Sequence, residues 1–213
     1  MRVNVGCGRT PTEGWHNLDN SPSVRLAAIP IVPGLLYRLG LLAEAQWDFV
    51  QFARKHSIVF ANASRRLPFG SESLDVVYSS HMFEHLAPLA AARFLQEAHR
   101  VLRKGGIIRL VVPDLRLLIE RYLRDGDADR LVEGMHVCDT TVHTIAGRVV
   151  RGVIGVRHHQ WMYDGASLCR LLERHRFLRP EVMTAGTTRI PAADPLDLCE
   201  RADESVYVEA AKG

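Results

Sequence analysis

The sequence predicts an α/β fold, a sheet sandwiched between helices, and three observations carry that expectation. Met1-Arg2-Val3-Asn4-Val5 is a short apolar strand that runs directly into Gly6-Cys7-Gly8. A strand ending in Gly-x-Gly lets the backbone turn sharply and approach a ligand where a Cβ would collide. A second short run, Trp15-His16-Asn17-Leu18-Asp19, ends in an acid, and a carboxylate at a strand tip is placed to grip the two hydroxyls of a ribose. Beyond these, strand-like and helix-like segments alternate through most of the chain, which calls for helices on a sheet.

The elements follow in order. After the loop Asn20-Ser21-Pro22-Ser23, a helix is expected from about Gly34 to Lys55, inside a helical cap insert at about 22–56. Ser57-Ile58-Val59-Phe60 reads as a strand ending at Asn62-Ala63. A polar turn, Ser64 to Ser73, leads to the strand Leu74-Asp75-Val76-Val77-Tyr78. From Pro88 to Arg103 the apolar positions Ala91, Phe94, Leu95, Ala98, Val101 and Leu102 recur at helical spacing, with Pro88 suited to the first turn and Gly105 to the stop. Ile107 to Val112 is a strand closed by Pro113-Asp114, and a helix covers roughly Leu115 to Arg124. A loop-rich stretch runs to Gln160. The last helix starts at Asp164, a good N-cap, with Leu168, Leu171 and Leu172 on one face. Strands near Glu181–Thr184 and Ser205–Ala211 finish the chain.

With 213 residues, 47% hydrophobic and 24% charged, the chain reads as a single domain over 1–213. Its net charge of +3 is too small to argue for nucleic acid. Cys7, Cys138, Cys169 and Cys199 are scattered, without the spacing of a zinc or redox motif, and read as reduced thiols of a cytoplasmic protein. Arg2 is followed by strand and glycine turn instead of the long apolar region of a signal peptide. Residues 24–42 are mostly apolar, but Pro30, Pro33, Arg25 and Arg38 interrupt them. A spanning helix needs about 20 largely apolar residues, so this segment reads as a cap, with contact to a membrane surface its only membrane option. Oligomeric state is not legible.

From Phe60 to Asp114 the residues resemble one family. Asn62-Ala63, Leu67-Pro68-Phe69, Ser73-Leu74-Asp75-Val76-Val77, Glu84-His85-Leu86, Glu97 with Arg100-Val101-Leu102, Lys104-Gly105-Gly106 and Val111-Val112-Pro113-Asp114 resemble the core of class I methyltransferases that use S-adenosylmethionine, the methyltransferase type 11 group. With Val5-Gly6-Cys7-Gly8 and Asp19, the resemblance covers about the first 115 residues. It implies a doubly wound, Rossmann-like sheet, mostly parallel with an antiparallel last strand. It also implies an enzyme that methylates a small-molecule or glycan-like acceptor, read here as acting at oxygen, with S-adenosylmethionine as cofactor. Gly6, Cys7 and Gly8 would line its methionine part and Asp19 would bind the ribose. Asn62 stands where the family usually has an aspartate facing the adenine amino group, and its side-chain oxygen can accept that bond. Ala63 would offer backbone near the ring, and Ser79 would sit beside the cofactor. The chain departs from the family between Gly8 and Asp19, where ten residues are too few for a strand and a normal crossover helix. The first helix is therefore expected to be shortened or absent.

His81-Met82-Phe83-Glu84-His85 spells H-x-x-E-H, the zinc motif of inverted metallopeptidases. On a helix, His81 and His85 would share a face with Glu84 beside them as base. Because the motif follows a buried-looking strand inside the methyltransferase pattern, the peptidase reading is disfavoured and no metal is assigned. Two readings stay open: a capping or buried polar cluster, and an acceptor site in which His81 takes the proton of an attacking hydroxyl, with Glu84 and His85 alongside. His158-His159-Gln160-Trp161-Met162-Tyr163 precedes the last helix, and His159 or Tyr163 is a candidate substrate contact. Arg148, Arg151 and Arg157 form a sparse basic run that reads as a solvated face or an anion site. A nicotinamide-dependent oxidoreductase is the weaker enzyme alternative, since Pro11 stands where G-x-G-x-x-G needs its third glycine. A degenerate methyltransferase fold that serves as a binding or assembly protein without turnover is the alternative from another class. Ser79-Ser80-His81 replaces the Asn/Asp-Pro-Pro-Tyr motif that accompanies amino-group methylation on bases and glutamines, which lowers nucleic acid and protein-amide acceptors.

Overall fold

A computed structural model of the chain describes residues 1–137 and 158–213. Its strands are β1 (Arg2–Val5), β2 (His16–Asp19), β3 (Val59–Phe60), β4 (Leu74–Ser80), β5 (Leu102–Pro113), β6 (Phe177–Met183) and β7 (Ser205–Lys212). They form one sheet in the order β3-β2-β1-β4-β5-β7-β6. Every pairing from β3 across to β5 is parallel. The last strand, β7, runs antiparallel to both of its neighbours, as expected. The order reverses between β1 and β4, and in an open α/β sheet that switch point is where a crevice opens beyond the carboxyl ends of the strands.

The period of two along a strand sorts side chains onto the two faces. On β5 and β7, Ile108, Leu110, Val112, Val206, Val208 and Ala210 enter one core, while Ile107, Val111 and Tyr207 enter the other. The first face is covered by α4 (Pro88–Val101), which buries Ala91, Phe94, Leu95, Ala98 and Val101, and by the helix Gly165–Arg174, which buries Leu168 and Leu172. The second face is covered by the extended segment between β6 and β7, which contributes Ile190 and Leu196. The segment between β2 and β3 folds as α1 (Pro22–Ala27), α2 (Val32–Arg38) and α3 (Glu44–Lys55). From it Val24, Ala53 and Ile58 close over Cys7 at the end of β1.

No helix lies between β1 and β2, so the expected loss of the first crossover helix is complete. The ten-residue return, 6–15, is held by side chains instead. Asn17 Nδ2 donates to the carbonyls of Thr12 (2.9 Å) and Trp15 (3.1 Å), and its Oδ1 accepts from Thr12 N–H at 2.8 Å. Asn4 Nδ2 donates to the Thr10 carbonyl at 3.0 Å and to Thr12 Oγ1 at 3.1 Å. Both asparagines are buried, where an unmet amide costs free energy of order 1–3 kcal/mol, so the loop has one favoured course.

The element boundaries correct the sequence reading in several places. The single cap helix over 34–55 is two helices, because Gly40 takes a left-handed φ of +69° and ends α2. Pro22 and Ser23, expected in a loop, begin α1 under the Ser21 cap. Gly105 does not stop α4: the helix ends at Val101, and Leu102 already pairs with Leu74. Gly105, at φ +72°, then shapes an irregularity inside β5. The stretch expected to be loop up to Gln160 opens with α6 (Ala128–Gly134), capped by Asp127, and follows α5 (Leu115–Asp125). The helix Gly165–Arg174 is named α7 here, and the Asp164 cap accepts from Ser167 N–H as predicted. β6 starts at Phe177, earlier than expected, because an edge strand tolerates Pro180 and a register shift between Leu178 and Glu181. Cys138 and the Arg148, Arg151, Arg157 run lie outside the described residues. Among the described residues no helix is long and apolar enough to cross a membrane. Ile29, Ile31, Leu35, Leu39 and Leu41 of the cap are exposed.

On the second face, Arg109 of β5 stands directly opposite Glu209 of β7, and neither side chain reaches water. Their ion pair is 2.7 Å long. Arg109 also donates to the Thr187 carbonyl, and Glu209 accepts from Thr188 Oγ1 and Arg189 N–H, so the pair anchors the covering segment. Breaking a buried pair by removing one partner leaves an uncompensated charge. Glu209→Gln is therefore expected to lower unfolding free energy by about 3–5 kcal/mol in urea titration. The double change Arg109→Met, Glu209→Leu should cost clearly less than Glu209→Gln alone, and equal losses would refute this account of the pair.

Candidate active site

The glycine turn leaves β1 with Gly6 at φ +79° and Gly8 at φ +51°. Gly6 and Cys7 both donate their N–H groups to the Leu18 carbonyl, at 2.8 and 3.0 Å, which ties the turn to β2. A Cβ on Gly6 would stand 2.3 Å from Met82 Cγ, whereas a Cβ on Gly8 would meet no atom within 4 Å. The turn therefore packs tightly on one side and is open at Gly8. Cys7 is buried, and burial, with Asp19 nearby, pushes its thiol pKa up to about 12, so it is inert at neutral pH.

Asp19 closes β2 beside this opening. Its Oδ2 accepts from Gly8 N–H at 3.2 Å and its Oδ1 from Ser21 N–H at 2.8 Å. An ionised carboxylate has about four acceptor positions, so two remain for further donors. Asn62, just beyond β3, forms a local turn in which Oδ1 accepts from Ser64 N–H (2.9 Å) and Ser64 Oγ (2.8 Å). The oxygen expected to meet an adenine amino group is thus engaged locally, and the amide NH₂ is the group left to donate. Ala63 is buried next to it. Ser79 is fully buried near the end of β4, and its Oγ has no hydrogen-bond partner among the described residues.

The H-x-x-E-H segment follows β4, but not as the helix that the zinc-motif reading required. His81 takes a left-handed φ of +47°, and a single 3-10 turn covers Phe83–His85. A non-glycine residue held there costs of order 1–3 kcal/mol, strain that concentrates at functional sites. His81 N–H still donates to the Val111 carbonyl at 2.9 Å, while its Nε2 lies 2.9 Å from Ser205 Oγ. Met82, the next residue, is the one that packs on Gly6. The glycine turn and the histidine segment are therefore neighbours at one sheet edge.

Glu84 is the centre of this segment. It is 1% exposed, and neither carboxylate oxygen has a hydrogen-bond partner among the described residues. Three imidazole nitrogens approach Oε1: His81 Nδ1 at 3.7 Å, His159 Nε2 at 3.8 Å and His85 Nε2 at 3.9 Å. Burial raises the Glu84 pKa to about 7. Burial first, then the Arg201 charge, lowers that of His81 to about 4, and burial with His85 nearby lowers that of His159 to about 4. The His158–Tyr163 segment is held against Glu84 by backbone bonds, since the Glu84 carbonyl accepts from Gln160 N–H (2.7 Å) and Trp161 N–H (3.2 Å). Tyr163 is buried with its ring 5.2 Å from that of Phe83, and it bridges to Asp114. Of the residues expected at the acceptor, His81, Glu84, His85 and His159 come together, whereas Tyr163 packs into the core beside them. Sequence reading missed His136, whose ring lies 5.2 Å from that of His159, and Arg201, whose guanidinium reaches within 3.4 Å of His81 Nδ1. Neither stands in a motif, so only the tertiary fold could reveal them.

The family described as the methyltransferase domain, type 11, matches residues 3–110. No curated protein matches. Among solved structures, a SAM-dependent methyltransferase of Thermotoga maritima superposes with a TM-score of 0.51 at 14% identity, covering 100% of this chain and 82% of its own. A SAM-dependent methyltransferase of Methanosarcina mazei gives 0.51 at 16% identity, covering 99% and 91%. A Pyrococcus horikoshii protein gives 0.52 at 14% identity, covering 100% and 81%. At these identities the likeness is one of fold.

The two glycines of the turn separate strain from clash. Gly8→Ala should lose about 1–2 kcal/mol of stability, the cost of a left-handed Cβ. Gly6→Ala should lose more, because its Cβ also meets Met82, and Met82→Ala should recover part of that loss. Urea unfolding of the three variants and the double variant checks the order. A Gly6→Ala protein as stable as Gly8→Ala would contradict the packing.

Proposed function

We propose, for a chain that belongs to the methyltransferase type 11 family and takes S-adenosylmethionine as its cofactor, that it methylates a hydroxyl of a small-molecule or glycan-like acceptor. The observation that carries this reading is the contact of Met82 with Gly6, which sets the open glycine turn against a buried histidine and glutamate wall. The residues fit the cofactor: Gly8 opens onto free space, and Asp19 keeps acceptor capacity beside it. In this reading Gly6, Cys7 and Gly8 hold the methionine part, and Asp19 accepts from the ribose hydroxyls. Asn62 and Ala63 edge the adenine, with Asn62 donating through its amide NH₂, and Ser79 donates its unpartnered hydroxyl to the cofactor.

When bound, S-adenosylmethionine supplies an electrophilic methyl carbon on a sulfonium. The chain's own contribution is alignment and a route for one proton. With S-adenosylmethionine bound, an acceptor oxygen attacking the methyl carbon would displace the sulfur with its electron pair, and the acceptor's proton would pass to the wall formed by His81 and Glu84. His81, kept neutral by burial that lowers its pKa to about 4, orients that hydroxyl by exchanging Ser205 Oγ for it as the hydrogen-bond partner of Nε2. Glu84, His85 and His159 complete the wall, and Tyr163 backs it.

Two measurements test the reading. Isothermal calorimetry should find S-adenosylhomocysteine binding in the micromolar range, about −8 kcal/mol. Asp19→Ala should weaken it at least tenfold, since hydrogen bonds to a charged acceptor contribute about 1.5–3 kcal/mol each. Second, labelled methyl from S-adenosylmethionine should appear on a hydroxyl-bearing acceptor pool, and His81→Ala should cut that transfer by roughly 10²–10⁴ while leaving cofactor affinity in place. Binding of the cofactor without any transfer would favour the non-catalytic reading, and absence of binding would overturn the enzyme reading.

A further inference from the structure

We infer that Glu84, His85 and His159 form a binding site for one divalent transition-metal ion beside the methyl-acceptor position. One ligand atom from each of these three residues lies within 4.8 Å of the other two. Their chain positions are fixed independently of any ion. Glu84 and His85 sit in the 3-10 turn after β4, and His159 is carried to them by the bonds from Gln160 and Trp161 to the Glu84 carbonyl.

Glu84 has two deeply buried carboxylate oxygens with no donor in reach among the described residues. Buried polar groups left without a partner are rare, and each needs an account. The nearest groups are ring nitrogens, and for His85 the direction of its lone pair can be worked out. His85 Nδ1 lies 3.1 Å from the His158 carbonyl oxygen, and a carbonyl can only accept. Nδ1 therefore carries the hydrogen, which makes Nε2, 3.9 Å from Glu84 Oε1, the unprotonated nitrogen of the neutral ring. A carboxylate oxygen and an unprotonated ring nitrogen at that distance repel, and a cation between them, a proton or a metal ion, relieves the repulsion. A backbone carbonyl that fixes the tautomer and ring orientation is also the usual support behind a metal-ligating histidine.

The separations are those of a site that tightens slightly around an ion. Ligands about 2.0–2.2 Å from a tetrahedral ion stand roughly 3.3–3.6 Å from one another. Glu84 Oε1 is 3.8 Å from His159 Nε2 and 3.9 Å from His85 Nε2, a few tenths of an ångström beyond that range, and all three ligand atoms lie within 4.8 Å of one another. Two imidazoles and one carboxylate suit zinc, manganese, cobalt or iron better than magnesium or calcium, and such a set leaves coordination positions open. His81, with Nδ1 at 3.7 Å from the same oxygen, does not join the three-residue set but stands where it can face an open position. A cavity lined by Asp114, His136 and Arg201 touches the cluster at His159. On the preceding reading, which this inference needs only for its purpose, the ion holds the acceptor hydroxyl and makes it more acidic. The sequence reading assigned no metal here, and this inference departs from it. It does not revive the peptidase, since the ligands here are Glu84, His85 and a histidine from a distant segment.

The test uses the full chain, purified without a metal-affinity step and stripped with chelator. Titration with Zn²⁺, read by calorimetry and elemental analysis, should give one ion per chain. His85→Ala and His159→Ala should each weaken affinity at least tenfold, with variant folding verified by thermal melting. Co²⁺ titration of the wild type needs no variant: it should give visible d–d bands of a low-coordinate nitrogen–oxygen site that Zn²⁺ then displaces. A wild type that takes up no ion, lacks those bands, or binds Zn²⁺ unchanged in both folded variants overturns the inference. S-adenosylhomocysteine binding on the same samples reports separately on the function: a chain that binds the ion but not this ligand keeps the metal site and loses the methyltransferase reading.

Discussion

The ten-residue return from β1 to β2 is the constraint on which the rest of the site depends. Parallel neighbours normally need a crossover of a dozen residues or more, usually a helix. Here the helix is gone, and two buried asparagines, Asn4 and Asn17, do its structural work through hydrogen bonds to Thr10, Thr12 and Trp15. Two consequences follow. The end of β1 loses its usual cover, and α1 and α3 supply it, with Val24 and Ala53 packed over Cys7 and Arg9 lying across Phe49 and Phe52. In addition, the short span brings Asp19 within hydrogen-bond reach of Gly8, so the acid and the glycine turn are wired together before any ligand arrives.

Several of the residues that make the family pattern conspicuous are structural staples. Glu97 accepts from Leu67 N–H at 2.8 Å and pairs with Arg100 at 2.7 Å, and Arg100 in turn donates to the Phe69 carbonyl. This network pins the Leu67-Pro68-Phe69 turn to α4. Gly106 has the same kind of role, because a Cβ there would lie 2.9 Å from the Arg103 carbonyl oxygen. Motif strength and chemical function are therefore separate matters in this chain. The second face adds a device that no motif announces, the buried Arg109–Glu209 pair that binds the β6–β7 segment to the sheet.

What the sequence made legible was whatever is encoded locally. The apolar runs of β4 and β5, the 3.6-residue period of α4 and the Asp164 cap all depend on neighbours in the chain, and all appear in the structure. The missing first helix was legible by simple counting between Gly8 and Asp19. Less legible was everything decided by a single backbone angle or by distant partners. Gly40 divides the cap helices through its left-handed φ, a choice that the apolar pattern of residues 34–55 does not reveal. Arg109 read as an ordinary strand residue, since its partner lies a hundred positions away. Within the site, the H-x-x-E-H spelling suggested a helix with two histidines on one face. The left-handed His81 breaks that geometry and brings His159, from a different segment, to Glu84 instead.

Natural sequences keep local propensity, packing and polar satisfaction in agreement, and violate them mainly where function demands it. Two such violations lie three residues apart here. His81 is held in a backbone region that L-residues avoid, and Glu84 is buried with no hydrogen-bond partner for its oxygens among the described residues. Neither is needed to hold the sheet, whose cores are apolar on both sides of β4 and β5. The cost of both is carried by the surrounding frame: the Val111 carbonyl fixes His81, Phe83 is locked between Phe94 and Tyr163, and the Glu84 carbonyl is tied to Gln160. A frame this firm holds a carboxylate in a position it would not choose for stability. That argues for a positively charged or proton-donating guest as the missing partner, and so for chemistry at this end of the sheet.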